Sequence, residues 1–483
     1  MNYVFYDFET TGLDTKFSQP IQIAAVVLDE DFNRIEGHDP IDEKCKLKDG
    51  IIPHPNAMLV HKVPIDVLKN GQSFYDMMDY VHKIFTSWGP ATFIGYNSMR
   101  FDEEVLRSSF FQSLHDPYLT NTNKNSRTDL FKIVLGLEAL KKDILKIPIV
   151  EKTGKPSFKL ELIAKENGII HEKAHDALSD VYATIEVARI IKDKAPDYWN
   201  ECMKILSPRD LMEYISNNDY FYAAPEHGAA NATYKPISFL TNNPNNNKEL
   251  AFFDLSNDPK NYYEAGVSKI TSMIEAKQKV IRLYQANKSP IILSSNFIKS
   301  SGIFKDNEIN TFKNRAKELC GHEDFIEKIN FAMVERYDDF QITREPSEFL
   351  EAQIYNGGFY SSQDKERIIL FKDCNDPIEK YAIAKGFQDR RLREISYRVL
   401  FSESPSVFTD QELIDRRRFI ADKVFCTEEK VKWCTLERAK NEMQSIKEKD
   451  NGGEQSSYIK QIENYLQAEE ERYQSYLSGD IIS

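Results

Sequence analysis

The sequence is poor in cysteine and has no excess of positive charge. Its six cysteines are scattered over 483 residues, without a C-x-x-C pair or a spacing typical of zinc ligands. We therefore expect ordinary thiols in a reducing cytoplasm.

No apolar stretch is long enough to cross a bilayer, and no signal sequence precedes the first strand, so we expect a cytoplasmic protein. The net charge of −13 argues against a positively charged surface over the whole protein that would bind nucleic acid or membrane. Any phosphate-binding surface must be local.

The composition is that of a folded protein with more than one domain. Of the residues 41% are hydrophobic and 12% aromatic, and the chain is long for a single core. Strands alternate with helices in the first part, short strands follow from about residue 207, and helical periodicity prevails from about residue 351. We expect an α/β domain over residues 1–200, a small β domain over residues 201–350 and a helical domain over residues 351–483.

The chain opens with an apolar run that carries two acids. Residues 3–12 read Tyr-Val-Phe-Tyr-Asp-Phe-Glu-Thr-Thr-Gly, which predicts a buried strand that stops at a glycine. Side chains alternate between the two faces of a strand, so Asp7 and Glu9 point one way and Phe8 the other. Two such carboxylates are costly to ionise side by side unless a cation lies between them. A divalent metal is the economical explanation, and the alternative is that Glu9 simply lies in solvent.

Further elements follow from periodicity and turn residues. A strand over residues 21–28 should form a hairpin with the first strand, and residues 45–47 are a candidate third strand. The first domain should also contain a strand over residues 92–97 and helices over residues 74–88, 103–114, 127–140 and 159–167. Short strands are predicted over residues 220–222, 232–237, 250–255 and 280–284. Helices are predicted over residues 381–400, 410–424, 428–447 and 457–477, with a break at residues 450–453.

Three more chemically active residues stand at the ends of predicted elements. Asp102 closes the turn from the strand over residues 92–97 to the next helix, where it can cap that helix or face a ligand beyond the strand. Asp176 is a good N-cap, which places His175 just before a helix and Asp180 about one turn inside it. From the loop, His175 can reach the side of Asp180. A lone histidine here would more often be structural.

Taken together, these residues predict one metal site. Oxygen ligands from Asp7, Glu9, Asp102 and Asp180 suit Mg²⁺ or Mn²⁺ and not zinc. Two such ions about 3.5 to 4 Å apart can activate a water and stabilise the leaving oxygen of a phosphodiester. Histidine titrates near neutrality, so His175 is suited to take the proton from that water.

Three segments carry a resemblance to a known family. Asp7-Phe8-Glu9-Thr10-Thr11-Gly12, the Asn97-x-x-x-Phe101-Asp102 segment and the His175-Asp176-x-x-x-Asp180 segment resemble the three motifs of the DEDDh 3′-to-5′ exonucleases. The blocks at residues 95–105, 116–118, 125–127, 156–161, 174–184 and 352–359 are similar to the bacterial exodeoxyribonuclease I branch. The resemblance implies a ribonuclease-H-like α/β exonuclease domain, followed by a small SH3-like β domain and an α-helical C-terminal domain.

The resemblance also implies roles for individual catalytic residues. Metal binding falls on Asp7, Glu9 and Asp180, with Asp102 as the acidic residue of the second motif and a further ligand, and His175 is the general base. Two ions per site are implied, Mg²⁺ with Mn²⁺ as a substitute.

Substrate contacts implied by the resemblance fall on Glu9, Lys159, Arg107 and Tyr118. Lysine stands at position 159 where the family has arginine, which keeps a charge but loses bidentate geometry. The family's tryptophan-rich segment corresponds to residues 119–122, which contain no tryptophan and leave base stacking there in doubt.

The implied activity is 3′-to-5′ hydrolysis of single-stranded DNA to 5′-mononucleotides, in DNA repair and recombination. The β and helical domains of a monomer would close over the cleft and give processivity by enclosure. The arginine runs at residues 390–393 and 416–418 are either solvated helix faces or a groove for the DNA backbone. They could also dock the acidic tail of a single-strand-binding protein, a partner that the resemblance implies.

Two other functions remain open. A proofreading exonuclease or a short-RNA exonuclease shares the acids but is usually much shorter. Cleavage of matched DNA and RNA oligonucleotides would distinguish such an enzyme from an exonuclease of single-stranded DNA. A catalytically silent nucleic-acid adaptor belongs to a different class. The intact set of four acids and a histidine disfavours it.

Overall fold

The first sheet of the protein is mixed and has β1 at its centre. The computed structural model describes residues 1–140, 143–171, 174–229, 232–319, 321–342, 347–449 and 456–478. The strands pair in the order β3-β2-β1-β4-β5, with β1 antiparallel to β2 and parallel to β4. The predicted hairpin and α/β class are confirmed. The strands are β1 (Asn2–Thr10), β2 (Pro20–Leu28), β3 (Ile41–Lys44), β4 (Ala91–Gly95) and β5 (Ser126–Asp129).

The third strand lies before the predicted position. It covers Ile41–Lys44, so the strand expected at residues 45–47 is wrong. After Lys44 the chain leaves β2, because the N–H groups of Lys46 and Leu47 donate to the carbonyls of Gln72 and Leu68. Only an isolated bridge between Cys45 and Gln72 remains there.

Helices and one short hairpin complete this first part. The predicted helix over residues 74–88 is confirmed: Ser73 accepts a hydrogen bond from the Asp76 N–H at its start, and Gly89-Pro90 follows its end. The helices are α1 (Pro55–His61), α2 (Ile65–Asn70), α3 (Phe74–Trp88), α4 (Asp102–Gln112), α5 (Leu130–Ala139), α6 (Leu160–Glu166), α7 (Ala177–Lys194), α8 (Pro196–Cys202) and α9 (Pro208–Ser216). The hairpin pairs β6 (Ile149–Val150) with β7 (Lys155–Pro156).

The middle part combines a second sheet with helices. The antiparallel sheet has the order β11-β10-β9-β8-β12, from β8 (Phe221–Ala223), β9 (Lys235–Asn243), β10 (Asn246–Asp254), β11 (Ile281–Gln285) and β12 (Ile292–Ser294). The helices are α10 (Val267–Glu275), α11 (Ser295–Ser301), α12 (Asp306–Leu319) and α13 (Glu323–Ile342). These helices were not expected, although α12 buries Ile309, Phe312 and Ala316 at helical spacing. The SH3-like description and the domain boundaries stay predictions.

The C-terminal part is helical, as expected. The single helix predicted over residues 381–400 is two, because Asp389 caps a new helix and Asp364 binds the N–H groups of Gln388 and Asp389. The helix predicted over residues 428–447 begins only at Leu436, and the predicted break at residues 450–453 lies outside the described residues. The helices are α14 (Ser362–Asp373), α15 (Pro377–Lys385), α16 (Arg390–Glu403), α17 (Asp410–Val424), α18 (Leu436–Lys449) and α19 (Ser456–Ser478).

Two apolar layers cover the first sheet. Phe5 on one face of β1 belongs to a core that includes α7 and continues into the middle part. Tyr6 and Phe8 on the other face belong to a core shared with α3, α4 and α14–α16. Asp7 and Glu9 therefore lie on the face that α7 covers.

Within the described ranges, no helix has the length and apolar character needed to span a membrane.

Candidate active site

The first two acids lie at the end of the central strand. Asp7 pairs with Ala24 and Glu9 with Gln22 in the register of β1 and β2, and both side chains are half-buried. The register shifts between Glu9 and Thr10, an irregularity of the kind that often ends strands beside functional sites. The strand therefore delivers both carboxyls to one face, as predicted, at the point where its pairing ends.

Asp102 reaches the same place from the neighbouring strand. β4 is parallel to β1, so the carboxyl ends of the two strands meet at one edge of the sheet. The N-cap of α4 is Phe101, and Asp102 is the first helical residue with 6% of its surface exposed. Burial raises the pKa of both Asp7 and Asp102, and the N–H of Phe8, which donates to both carboxyls, offsets part of that rise. Asp102 thus lies beside Asp7 and is not the helix cap.

The start of α7 brings in the third motif. Asp176 is the N-cap and accepts a hydrogen bond from the Ser179 N–H at 3.3 Å, as predicted. Gln22 of β2 donates to the other Asp176 oxygen at 3.3 Å, which ties the start of α7 to the hairpin. His175 precedes the cap with a φ of 66° and is exposed. Such left-handed backbone is uncommon for a residue other than glycine and is concentrated at functional sites.

Glu9, His175 and Asp180 form a cluster that could hold a metal ion. One potential ligand atom from each residue lies within 4.8 Å of the others. The loop position of His175 therefore lets it reach the side of Asp180. The structure brings together the residues predicted from three distant segments.

Burial disfavours ionisation of all four carboxyls, and the charges of neighbouring acids add to this at Asp7 and Glu9. Burial, followed by the charges of Asp102, Asp180 and Glu9, raises the pKa of Asp7 well above its usual value. Burial and the neighbouring acids raise the pKa of Glu9 to about 9. Burial also raises the pKa of Asp102 to about 7 and, to a smaller extent, the pKa of Asp180. A divalent cation would relieve this repulsion, and oxygen donors of this kind fit Mg²⁺ or Mn²⁺.

A second histidine in the site was not predicted. His171 Nε2 lies 2.5 Å from Asp180 Oδ1, and the His171 side chain is almost completely buried. Its position four residues before His175 was the only signal in the sequence. That spacing alone does not predict whether His171 contacts Asp180 or lies in solvent.

The substrate-contact candidates lie in three different environments. Lys159 is the N-cap residue of α6, with a side chain 70% exposed and 3.4 Å from Glu161. Arg107 is buried, donating to Glu103 at 2.8 Å and to Asn121 at 2.9 Å. Tyr118 lies against the Arg107 guanidinium, 5.2 Å from its ring centre. Lys159 is exposed to a phosphate in solvent and has Glu161 beside its charge, whereas Arg107 is bound to a buried carboxylate.

The fold and the site define a divalent-metal-dependent exonuclease. Residues 4–188 match the family model described as exonuclease, and residues 349–469 match the exonuclease I C-terminal domain. The chain is 30% identical to exodeoxyribonuclease I of Buchnera aphidicola subsp. Acyrthosiphon pisum (strain APS) over 406 residues, which cover 82% of this chain and 96% of that protein. The chain belongs to the exodeoxyribonuclease I family.

Solved structures agree with this assignment. Exonuclease I from Methylocaldum szegediense superposes with a TM-score of 0.81 at 22% identity, over 97% of this chain and 99% of that one. Escherichia coli exonuclease I in complex with a 5cy-dT13 oligonucleotide gives a TM-score of 0.80 at 25% identity, over 96% and 99%. The predicted α/β core with a helical C-terminal region is confirmed. Membership of the family makes the chain a 3′-to-5′ exonuclease of single-stranded DNA.

Proposed function

We propose that Asp7, Glu9, Asp102 and Asp180 bind two Mg²⁺ ions, for which Mn²⁺ can substitute, at the end of β1. The convergence of these acids at one edge of the sheet supports this proposal most directly: burial disfavours ionisation of all four, and the charges of Asp102 and Asp180 further raise the pKa values of Asp7 and Glu9. Bound divalent ions supply charge neutralisation of the phosphodiester and a more acidic water. These acids orient the reacting groups by binding the ions from one side of the sheet.

His175 takes the proton from the attacking water in this proposal. Its side chain is exposed, so it can meet a water that approaches the cluster from solvent. His175 also lies within 4.8 Å of the Glu9 and Asp180 ligand atoms, close enough to act on a water held there. The scissile bond is the last phosphodiester at the 3′ end, and the products are 5′-mononucleotides.

The single strand is held by residues around the cluster. Lys159 contacts a backbone phosphate as a point charge from its exposed position at the start of α6. Glu9 contacts the terminal nucleotide, Tyr118 offers a partly exposed ring to a base, and Arg107 supports that ring from beneath. The middle and C-terminal parts enclose the strand in a monomer and exclude duplex.

The proposed partner is the acidic tail of a single-strand-binding protein. One solved relative of the same fold is a complex between exonuclease I and the C-terminal peptide of such a protein, with a TM-score of 0.78 at 24% identity. In this chain the groove beside α16 and α17 contains Arg390, Arg393 and Arg416 next to Phe408 and Phe419. Arginines beside aromatic rings suit a peptide that is acidic and partly apolar. The proposed setting is cytoplasmic DNA repair and recombination.

A cleavage assay tests the activity and its site together. End-labelled oligonucleotides, single or duplex and DNA or RNA, are incubated with and without Mg²⁺ and with a chelator. Asp7→Asn and Asp180→Asn should nearly abolish nucleotide release from single-stranded DNA. Asp193→Asn, an exposed acid at the far end of the same helix α7, is the matched control and should retain full activity. Release of nucleotides in excess chelator, or full activity of Asp180→Asn, would contradict the proposed site.

A further inference from the structure

Two histidines approach Asp180, and they differ in exposure. His175 is exposed, whereas only 5% of the His171 side chain is accessible. His171 lies on the loop before α7, and its Nε2 is 2.5 Å from Asp180 Oδ1. The two imidazoles therefore meet the same carboxylate from different environments.

Burial prevents His171 from acting as the general base. A base must receive a proton from a water at the phosphodiester and pass it to solvent, and the His171 ring is enclosed. A metal ligand must be ionised, and an ionised carboxylate only accepts hydrogen bonds, so His171 Nε2–H is the donor to Asp180. That N–H, together with the backbone N–H of His175, fixes the direction of the Asp180 side chain on the first turn of α7.

We propose that His171 is a positioning residue, which holds the Asp180 carboxylate in the orientation that binds the divalent ion. The inference rests on the proposed metal site and adds a residue that neither the motifs nor the ligand cluster includes. Asp180 is then held twice: Asp176 and Gln22 fix the start of α7, and His171 fixes the side chain. Hydrogen-bond partners of metal ligands commonly change metal affinity by about 10- to 100-fold.

Mn²⁺ binding without DNA tests the proposal directly. The affinity of the full-length protein is measured from the electron paramagnetic resonance signal of free Mn²⁺ during titration. His171→Leu removes the donor and should weaken Mn²⁺ binding about 10- to 100-fold. His171→Gln keeps an amide N–H donor at similar reach and should stay within about threefold of the original protein. In cleavage assays, His171→Leu should raise the Mg²⁺ concentration for half-maximal rate, with a smaller effect on the rate at saturating Mg²⁺.

Two further variants keep the result decisive. His61→Leu removes another buried histidine, whose Nδ1 accepts from the Val63 N–H at the end of α1, and should leave Mn²⁺ affinity unchanged. His171→Asn is polar but too short to reach Asp180, and it should bind Mn²⁺ as weakly as His171→Leu; it decides the question if the leucine variant does not fold. Unchanged affinity in His171→Asn, or equal losses in the glutamine and leucine variants, would overturn the proposal.

Different results would refute the positioning role of His171 and the proposed activity of the metal site. A protein that binds Mn²⁺ but releases no nucleotide from single-stranded DNA would refute the proposed activity of the site. The comparison of Mn²⁺ affinities among the His171 variants would still decide the positioning role.

Discussion

Replacing Glu9 by glutamine should stabilise the metal-free protein while it abolishes cleavage. Burial and the charges of Asp180, Asp102 and Asp176 raise the pKa of Glu9 from its usual 4.5 to about 9. Between these values the carboxyl is protonated in the folded chain and ionised in the unfolded chain, which opposes folding increasingly as pH rises. Each pH unit above 4.5 is worth about 1.4 kcal/mol, so the effect for an isolated Glu9 at pH 7 is about 3.4 kcal/mol. Because the acids titrate together, we expect about 1 to 3 kcal/mol.

Thermal unfolding in a chelator measures this effect. Glu9→Gln should melt a few degrees above the original protein at pH 8.5, and the difference should vanish well below pH 4.5, where Glu9 is protonated in both states. Added Mg²⁺ should then raise the melting temperature of the original protein more than that of the variant, since the variant lacks one ligand charge. Glu166→Gln, at an exposed position on α6, is the matched control and should not shift the melting temperature with pH. A variant that melts at or below the original protein at pH 8.5 in chelator would refute the reasoning.

Three other substitutions test separate parts of the site and its support. His175→Ala should lower the cleavage rate about 10²- to 10⁴-fold with Mn²⁺ affinity little changed, and full activity at neutral pH would remove its role as base. Lys159→Ala should weaken binding to single-stranded DNA and reduce the slope of log affinity against log salt concentration by about one. Lys159→Arg should keep both the affinity and the slope of the original protein. Filter binding at several salt concentrations measures both quantities. Glu103→Gln leaves buried Arg107 and Arg127 without their shared carboxylate, so denaturant unfolding should show a loss of about 3 to 5 kcal/mol, and a loss under 1 kcal/mol would contradict it.

The catalytic segments could be predicted because their information is local. Alternation along β1 places Asp7 and Glu9 together, and the cap at Asp176 sets the start of α7, whatever the rest of the chain does. The contact between His171 and Asp180 depends on the path of a loop, which no periodicity encodes. The helices of the middle part were missed for another reason: α12 has a clear apolar face, but the neighbouring short strands favoured an all-β interpretation. Local patterns thus indicated the proposed metal ligands, whereas the contact of His171 with one of them depends on tertiary packing.

The two segments that match family models share one core. The sheet that carries Asp7 packs on one face against α3 and α4, and the same apolar cluster contains Leu392 and Ile395 of α16. Polar contacts add to this attachment: Tyr473 of α19 accepts a hydrogen bond from the Gly50 N–H at 2.8 Å, and His54 lies 2.6 Å from Glu442 of α18. His54 precedes α1 in the chain but lies beside the end of β1 in space, where its N–H donates to the Thr11 carbonyl. Because that carbonyl lies two residues after Glu9, the C-terminal helices help to fix the edge of the sheet at which the acids meet. The C-terminal part therefore supports the edge of the sheet at which the acids meet, in addition to the enclosure of DNA that we propose for it.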